Sequence, residues 1–350
     1  MRIGLTISCI AFGLAGAGFL SKTAMADPVS VFYRGKSVIL IVGTGVGGGY
    51  DLYARTLARH IGKHIPGTPN VVVQNMEGAG GIRALNYLAR IAPKDGTVFQ
   101  ATYGGLSIRP LIDPAGVEFD PRTLRWIGSS GTQVNICVTW GDSPVKTLED
   151  AMKREVMAAA TGSSTNIATM PNLLNRLTGT KFKIILGYSS TSMRIALENG
   201  EAESICGLAY SVWIVSNPDW FSKRKLNVLA QFGLEKIKEL PDVPLAVDFV
   251  ASPQDKAVFT LIDVVQRMGQ PYVAPPGIRE DRLEALRNAF DQTMTDPEFL
   301  EESTRMNQAV DPLKGSEMEQ LISGAYTLPV SVAARYAELM SEVPAPEKKN

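Results

Sequence analysis

The hydrophobic positions of the first hundred residues alternate between short unbroken runs and helical spacing. Residues 37–42 are apolar and rich in β-branched side chains, as expected for a strand that is covered on both faces. Residues 54–65 then place Ala, Leu and Ile at helical intervals. A strand at 71–73, a helix at 82–91 and a strand at 97–102 follow. Strands that alternate with helices predict a mainly parallel sheet with helices on both faces.

The same alternation resumes near residue 133 and predicts a second α/β unit. Its predicted strands are 133–139, 156–160, 182–186, 203–208 and 226–231, and its predicted helices are 147–154, 167–177 and 192–199. Residues 271–277 contain three prolines and form a stiff segment, after which the chain is mainly helical at 280–294, 297–304 and 317–339.

A chain of 350 residues is longer than one hydrophobic core usually serves. We therefore predict two lobes, with lobe 1 built from residues 27–132 plus 268–350 and lobe 2 from residues 133–267. Strand-like crossings near Thr132 and Tyr272 would join the lobes, and this organisation predicts a hinged α/β clamshell with a cleft between them.

Residues 1–26 have the features of an export signal. Arg2 precedes a run of uncharged apolar and small residues from position 3 to position 20, and Ala24-Met25-Ala26 is the small-x-small pattern that signal peptidases accept. Cleavage after Ala26 is predicted, with a membrane anchor as the alternative. The remaining chain would be a soluble, exported and periplasmic protein.

Composition and charge exclude two classes of protein. The 35 basic residues balance 35 acidic ones, 45% of residues are hydrophobic and only 20% are charged. A disordered chain would be poorer in apolar residues, and a nucleic-acid binder would need a basic surface. The sequence therefore predicts a folded protein that does not bind nucleic acid.

The predicted mature chain keeps two cysteines, Cys137 and Cys206. Both lie in short apolar stretches that we predict to be buried strands, so we expect two buried free thiols. Since the exported compartment permits disulfides, a bridge between them is the alternative.

A glycine-rich loop follows the first strand, where Gly43-Thr44-Gly45-Val46-Gly47-Gly48 formally matches a dinucleotide-binding fingerprint. Such a site also needs an acidic residue after the second strand, where this chain has Gln74 and Asn75. Dinucleotide binding is therefore disfavoured, and no cofactor is predicted. Backbone N–H groups at a helix N-terminus would instead suit a carboxylate.

Three loops of this kind predict an anion site in the cleft. The second is Gly78-Ala79-Gly80-Gly81, and the third is Thr161-Gly162-Ser163-Ser164-Thr165 in the second lobe. Asp51 stands where the N-cap of the first helix belongs and would support the site without touching the ligand. The predicted ligand-binding residues are Thr44, Gly45, Gly47, Gly48, Gly49, Gly80, Gly81, Tyr103, Thr161, Gly162, Ser163, Ser164 and Tyr188.

The sequence offers no arrangement for catalysis or metal binding. His60 and His64 are one helical turn apart, but no third ligand is in view, and we expect both at the surface near the C-terminal end of their helix. Neither a nucleophile elbow nor a phosphate-binding P-loop occurs. We therefore predict no catalytic residue, no metal and no enzymatic activity.

Residues 39–96 resemble the substrate-binding receptors of tripartite tricarboxylate transporters, the Bug family. The family's first signature is kept at Gly47, Gly48, Asp51, Ala54 and Arg55, while its two prolines are replaced by Gly43 and Val46. Its second signature is met by residues 72–81, with Gln74 in place of a glutamate, and its later elements are matched at 92–96, 187–188, 200–201, 275–277 and 296–298.

This resemblance implies a two-lobed periplasmic-binding-protein fold of the type II-like class, and a receptor that passes a small organic carboxylate to membrane permease subunits. It implies a monomer that holds the carboxylate through backbone amides, hydroxyls and bridging waters. An exported sensor subunit that signals to a membrane partner is the alternative, and an enzyme is a more distant one. Malate, citrate, adipate, an aromatic acid or another carboxylate all stay open as ligands.

Overall fold

The computed structural model describes residues 27–341 and residue 343, so the predicted export signal lies outside the described residues. The strands are β1 (Ser37–Val42), β2 (Asn70–Asn75), β3 (Val98–Ala101), β4 (Arg125–Ser129), β5 (Asn135–Trp140), β6 (Val156–Ala159), β7 (Phe182–Ile185), β8 (Ser204–Ala209), β9 (Leu226–Gln231), β10 (Pro271–Ala274) and β11 (Leu313–Lys314).

The helices lie between and after these strands. They are α1 (Pro28–Tyr33), α2 (Gly49–Ile61), α3 (Ile82–Arg90), α4 (Arg109–Ile112), α5 (Leu148–Lys153), α6 (Asn166–Thr178), α7 (Ser192–Glu198), α8 (Tyr210–Ser216), α9 (Pro218–Ser222), α10 (Pro253–Arg267), α11 (Glu280–Met294), α12 (Pro297–Arg305), α13 (Gly315–Ala325) and α14 (Val330–Leu339). No helix in the described part of the chain is long and apolar enough to cross a membrane.

The strands form two separate sheets. One has six strands in the order β11-β4-β10-β3-β1-β2, and the other has five in the order β7-β6-β8-β5-β9. The α/β architecture is as predicted, but both sheets are mixed where the alternation predicted mainly parallel ones. Only β1 with β2 and β3, and β6 with β7 and β8, pair in parallel. The remaining pairs are antiparallel because β10 and β11 in the first sheet, and β5 in the second, run opposite to the other strands of their sheet.

A short crossing connects the two sheets. β4 ends at Ser129 and β5 begins at Asn135, so the chain passes from one sheet to the other within a few residues. A second crossing leads from the end of β9 to α10, which packs against α13 and α14 of the first unit. The carboxyl ends of β1, β2 and β3 lie at the same edge of the first sheet, since the three strands are parallel neighbours.

The elements that the sequence analysis did not predict include β4, β10 and α10. β4 and β10 pair with each other within the first sheet, and β10 occupies the stiff proline segment. Pro271 is the first residue of β10, which is a position where a strand tolerates proline. α10 begins after Ser252, whose hydroxyl accepts a hydrogen bond from the Asp255 N–H, and it packs against α13 and α14.

The predicted helix at 317–339 is two helices. α13 ends at Ala325, and α14 begins after Pro329, which removes a backbone donor and interrupts the helical hydrogen bonds. α14 bridges the two units, since it packs against α10 and also against α6. The Arg176 guanidinium donates to the Glu338 carbonyl at 2.8 Å and pairs with the Glu338 carboxylate.

Cys137 and Cys206 form a disulfide, which corrects the expectation of two free thiols. They lie opposite each other on the antiparallel strands β5 and β8, with Cα atoms 3.9 Å apart. Each lies in a buried apolar strand, as predicted. Their pairing depends on the register between β5 and β8, which the local sequence around each cysteine does not determine.

The hydrophobic core has two principal parts in the first unit. Leu40 and Val42 of β1 pack under α2 and α11 on one face of the sheet. Ile41 points to the opposite face, where the buried cluster runs on through α10 to residues of the second sheet, including Cys137. The two sheets are therefore joined by packed side chains as well as by crossings.

Candidate functional site

The first two glycine-rich loops meet at the carboxyl edge of the first sheet. A methyl group at Gly43 would lie 3.3 Å from the Cα of Gly81, so the backbones of the loops are in close contact. Gly47, Gly48 and Gly49 are exposed at this edge. The loops predicted to form one site are thus brought together by the parallel order of β1, β2 and β3.

Asp51 is not the N-cap of α2, which corrects the prediction. Gly48 holds that position, and Asp51 lies in the first helical turn with 1% of its surface exposed. Its Oδ2 accepts hydrogen bonds from the Gly47 N–H at 2.8 Å and the Arg55 Nε at 2.9 Å, and its Oδ1 accepts one from Asn75 Nδ2 at 2.8 Å. The sequence misplaced the helix start because three consecutive glycines left its first turn undefined.

The Asp51 carboxylate is held in its charged form. Burial raises the pKa of Asp51, but hydrogen bonds from Arg55, Gly47 and Asn75 outweigh burial and keep the pKa below its ordinary value. Arg55 also donates to Asn75 Oδ1 at 2.9 Å, so this network ties the first loop to the end of β2. Because the Gly47 N–H is donated to Asp51, that predicted ligand donor is already occupied.

The second loop carries most of the unusual backbone conformations at the site. Gly78, Gly80 and Gly81 have φ values of 142°, 59° and 83°, which favour glycine. Tyr103 covers this loop, because a methyl group at Gly80 would lie 3.0 Å from its hydroxyl.

Tyr50 joins the site and was missed from the sequence. The ring centroids of Tyr50 and Tyr103 are 5.6 Å apart, and burial raises the pKa of both phenols. Its position next to the glycines of the first loop was the only signal available.

The third loop lies at the edge of the second sheet. Gly162 accepts hydrogen bonds from the Thr165 N–H and hydroxyl, at 3.1 and 2.7 Å, which close a tight turn before α6. The Gly187 N–H donates to the Thr161 carbonyl, which brings the turn beside the next loop. Ser164 is exposed, and the Ser163 carbonyl accepts a hydrogen bond from the Val343 N–H at 3.1 Å.

Tyr188 follows this turn, but its hydroxyl is engaged elsewhere. It donates to a carboxylate oxygen of Glu201 at 2.8 Å. That hydrogen bond and burial both raise the pKa of Tyr188. Tyr188 can therefore reach a ligand with its ring more readily than with its hydroxyl.

A cavity of about 460 Å³ lies beside the crossing from β4 to β5, which contributes Thr132 and Val134 to its lining. None of the residues predicted to bind a ligand is among those that line it. Its lining is Thr132, Val134, Tyr210, Ser211, Ile214, Glu235, Lys236, Ile237, Lys238, Glu239, Asp263, Arg267, Ala309, Val310 and Asp311. The Tyr53 hydroxyl of α2 donates to the Ala309 carbonyl at 3.3 Å, which connects the cavity to the helix that follows the first loop.

Two charged residues of α10 face this cavity. Asp263 is 6% exposed, and burial raises the pKa of its carboxyl group. Arg267 makes no hydrogen bond or close ion pair with the residues that the structure describes. Both were missed because no helix was predicted between residues 231 and 271.

His60 and His64 pair with acids of α12. Their Nε2 atoms lie 2.6 Å from Glu302 and 2.7 Å from Asp296. His60, Asp296 and Glu298 are close enough to hold a metal ion, but the Lys63 ammonium already lies 2.6 Å from Asp296 and 2.5 Å from Glu298. The group is therefore an ion-pair network between α2 and α12.

Two mixed sheets joined by crossings, with a cavity beside the first crossing, form a two-lobed α/β fold. Residues 53–325 match the family model described as the tripartite tricarboxylate transporter family receptor. The chain belongs to this family of solute-binding receptors, which is not a family of enzymes. A comparison with curated proteins finds no match.

Solved structures share the fold. A TctC solute-binding protein from Polaromonas, without ligand, is 19% identical with a TM-score of 0.67, over 88% of this chain and 99% of that one. MatC from Rhodopseudomonas palustris with bound malate is 18% identical with a TM-score of 0.54, over 87% and 99%. The periplasmic binding protein BugD is 19% identical with a TM-score of 0.53, over 89% and 99%.

Proposed function

We propose that this protein is a periplasmic receptor that captures a small organic carboxylate and delivers it to the membrane permease of a tripartite tricarboxylate-type transporter. The observation that carries the proposal is the meeting of two glycine-rich loops at the starts of α2 and α3 in a receptor of this family. Helix N-termini favour anions because their backbone N–H groups lack partners within the helix. The bound malate of MatC is a ligand of the proposed class.

The Asp51 network supports this assignment. A carboxylate at an anion site would repel the ligand if it faced the cleft. Both oxygens of Asp51 are used by Gly47, Arg55 and Asn75, and Arg55 compensates its charge at 2.9 Å. The acid therefore orders the loop without presenting an unpaired negative charge to the ligand.

The two sheets support a division into two lobes that close on the ligand. We assign residues 27–132 and 268–350 to lobe 1 and the second sheet to lobe 2. One adjustment follows from packing, because α10 contacts α13 and α14 and so moves with lobe 1. The predicted Thr161–Ser164 turn would then approach the ligand from lobe 2 when the lobes close.

Export and partners follow from the same role. We propose that the chain is cleaved after Ala26, acts in the periplasm as a monomer without catalytic activity or cofactor, and meets permease subunits at the membrane. An in-frame deletion of the gene should abolish uptake of the ligand while leaving the permease subunits in the membrane.

Binding is tested by thermal unfolding against a panel of mono-, di- and tricarboxylates. A ligand present at 100 times its dissociation constant stabilises the folded protein by about 2.7 kcal/mol. We expect at least one carboxylate to raise the melting temperature and its methyl ester to have no effect. A panel in which no carboxylate shifts the transition would contradict the proposed function.

A further inference from the structure

Gln100 is an amide in the middle of an otherwise apolar strand. It lies on β3 between Phe99 and Ala101, in register with Ile41 of β1 and Val273 of β10. Its side chain is 0% exposed. A leucine or methionine of similar size would suit these neighbours better than an amide.

The Gln100 amide has no partner inside the protein. Neither its Oε1 nor its Nε2 makes a hydrogen bond with the residues that the structure describes, and the same holds for the buried hydroxyls of Thr44 and Thr102. More than nine in ten buried polar groups in folded proteins are hydrogen-bonded, so each exception requires a physical explanation. These three exceptions, which we call the polar recess, lie at or just after the ends of β1 and β3.

This polar recess lies at the junction of the two glycine-rich loops. A methyl group at Gly43 would be 3.6 Å from Gln100 Nε2, 3.3 Å from the Cα of Gly81 and 3.6 Å from the Cβ of Ala84. The Gly43 N–H donates to the Ala101 carbonyl at 3.4 Å, so β1 and β3 end side by side just before Thr44 and Thr102. The unpaired amide therefore lies directly below the loops that we propose as the carboxylate site.

We propose that Gln100 is a specificity-determining residue that recognises a hydroxycarboxylate. The inference rests on the proposed function of the two loops. An amide presents an N–H₂ donor and a carbonyl acceptor side by side. The donor would bind a ligand carboxylate, and the acceptor would bind a hydroxyl group next to it. A ligand with carboxylates alone would leave the Gln100 carbonyl without a hydrogen bond in a buried site. The lost hydration of that carbonyl would then weaken binding.

The test compares two acids that differ by one hydroxyl group. Malate and succinate are measured by calorimetry with the parent protein and with Gln100→Leu, and citrate and tricarballylate serve as a larger pair. We expect the parent to bind the hydroxy acid of at least one pair more than tenfold tighter than its deoxy partner. Gln100→Leu should weaken binding of that hydroxy acid at least tenfold and abolish the preference.

The melting temperature without ligand separates this role from a structural one. Because Gln100→Leu removes a buried amide that makes no hydrogen bond, it should raise the melting temperature while it weakens binding. Gln308 is a matched control, since both its amide atoms are also buried and unpaired among the described residues, in the segment between α12 and β11. Gln308→Leu should raise the melting temperature and leave both affinities unchanged.

Each outcome decides the inference. Parent-like affinity and preference in Gln100→Leu would overturn the role of Gln100 while leaving the carboxylate receptor intact. A parent that binds no acid of the wider panel would contradict the proposed function itself and this inference with it. If Gln100→Leu does not fold, Gln100→Met is used instead, because it keeps an unbranched side chain without the amide. The same changes in affinity, preference and melting temperature are expected for it.

Discussion

The side chain of Asp51 orders the first glycine-rich loop through hydrogen bonds with three neighbours. It accepts hydrogen bonds from Gly47, Arg55 and Asn75, each between 2.8 and 2.9 Å. Hydrogen bonds that involve a charged group are stronger than neutral ones, and this carboxylate is 1% exposed. The conformation of this loop therefore depends on the charge of Asp51.

Replacing Asp51 by Asn distinguishes this network from an N-cap. An N-cap tolerates Asn, but here both carboxylate oxygens of Asp51 accept hydrogen bonds. The N–H₂ group of an Asn would replace one of these oxygens and would face the donors of Gly47 and Arg55, or the donor of Asn75. We expect Asp51→Asn to lower the free energy of unfolding by about 1–3 kcal/mol in urea titrations. The exposed first-turn acid Glu149 is the control, and Glu149→Gln should stay within about 0.5 kcal/mol of the parent.

The pH dependence of stability follows from the same pKa. The pKa of Asp51 is lowered in the folded protein, whereas the unfolded chain has an ordinary value of about 4. Its contribution is thus present above about pH 4 and is lost as the pH falls through the folded-state pKa. Urea titrations at several pH values should show a smaller loss on acidification for Asp51→Asn than for the parent, and equal losses would rule out this linkage.

Gly48 tests whether the first loop contacts the ligand. Its φ of −72° and ψ of 164° are open to any residue, and a Cβ there would lie 3.5 Å from the Gly45 carbonyl, an ordinary contact. Gly48→Val should therefore fold normally but weaken carboxylate binding more than tenfold in calorimetry, because the side chain blocks close backbone approach. Gly324→Ala, in the open face of α13, is the control that should bind like the parent. Full affinity in Gly48→Val would move the site away from this loop.

At the scale of elements, the disulfide joins the two central strands of the second sheet. β5 and β8 are antiparallel neighbours, and their bonded cysteines are 69 residues apart in sequence. Such a bridge restricts the unfolded chain and so favours the folded state. It holds together the strands whose ends approach the cavity, at Val134 and Tyr210.

Removing the bridge should destabilise the protein. The double substitution Cys137→Ser with Cys206→Ser should lower the free energy of unfolding by about 2–4 kcal/mol, measured in urea. The oxidised mature protein should show no free thiol until it is unfolded with a reductant. Reductant should not change the stability of the double variant. Two titratable thiols in the untreated protein would contradict the bridge.

For the whole molecule, the connections between the two sheets would limit the lobe closure that we propose. The lobes share two crossings, a continuous buried cluster and α14, which packs against both α10 and α6. A hinge motion must either preserve these contacts or let the packed elements slide against each other. Closure is therefore expected to be a limited rigid-body rotation in which each sheet stays unchanged.

Small-angle scattering tests this motion. Saturating carboxylate should reduce the radius of gyration, while far-ultraviolet circular dichroism stays the same, as in hinged binding proteins. Gly48→Val at the same ligand concentration should keep the radius of the free protein. Identical radii for the free and saturated parent would argue against a clamshell mechanism.

The sequence by itself determined the local elements and the family. The apolar run of β1 predicted its bounds, because continuous apolar residues with β-branching are incompatible with a solvated loop. Residues 280–294 likewise match α11, since their apolar spacing and acidic first turn are local properties. The glycine-rich loops were also visible, because positive φ and close backbone approach restrict the choice of residue.

Only the tertiary structure decided how these elements combine. The pairing of β4 with β10, the pairing of Cys137 with Cys206, and the hydrogen bond from Asn75 to Asp51 all join residues that are far apart in the chain. The lack of a partner for the Gln100 amide is also visible only in the tertiary structure. The strand sequence shows a polar residue, but it does not show whether neighbouring residues can form hydrogen bonds with it. Local propensity is set by each residue and its near neighbours, whereas hydrogen-bond partners and register are set by packing across the whole chain.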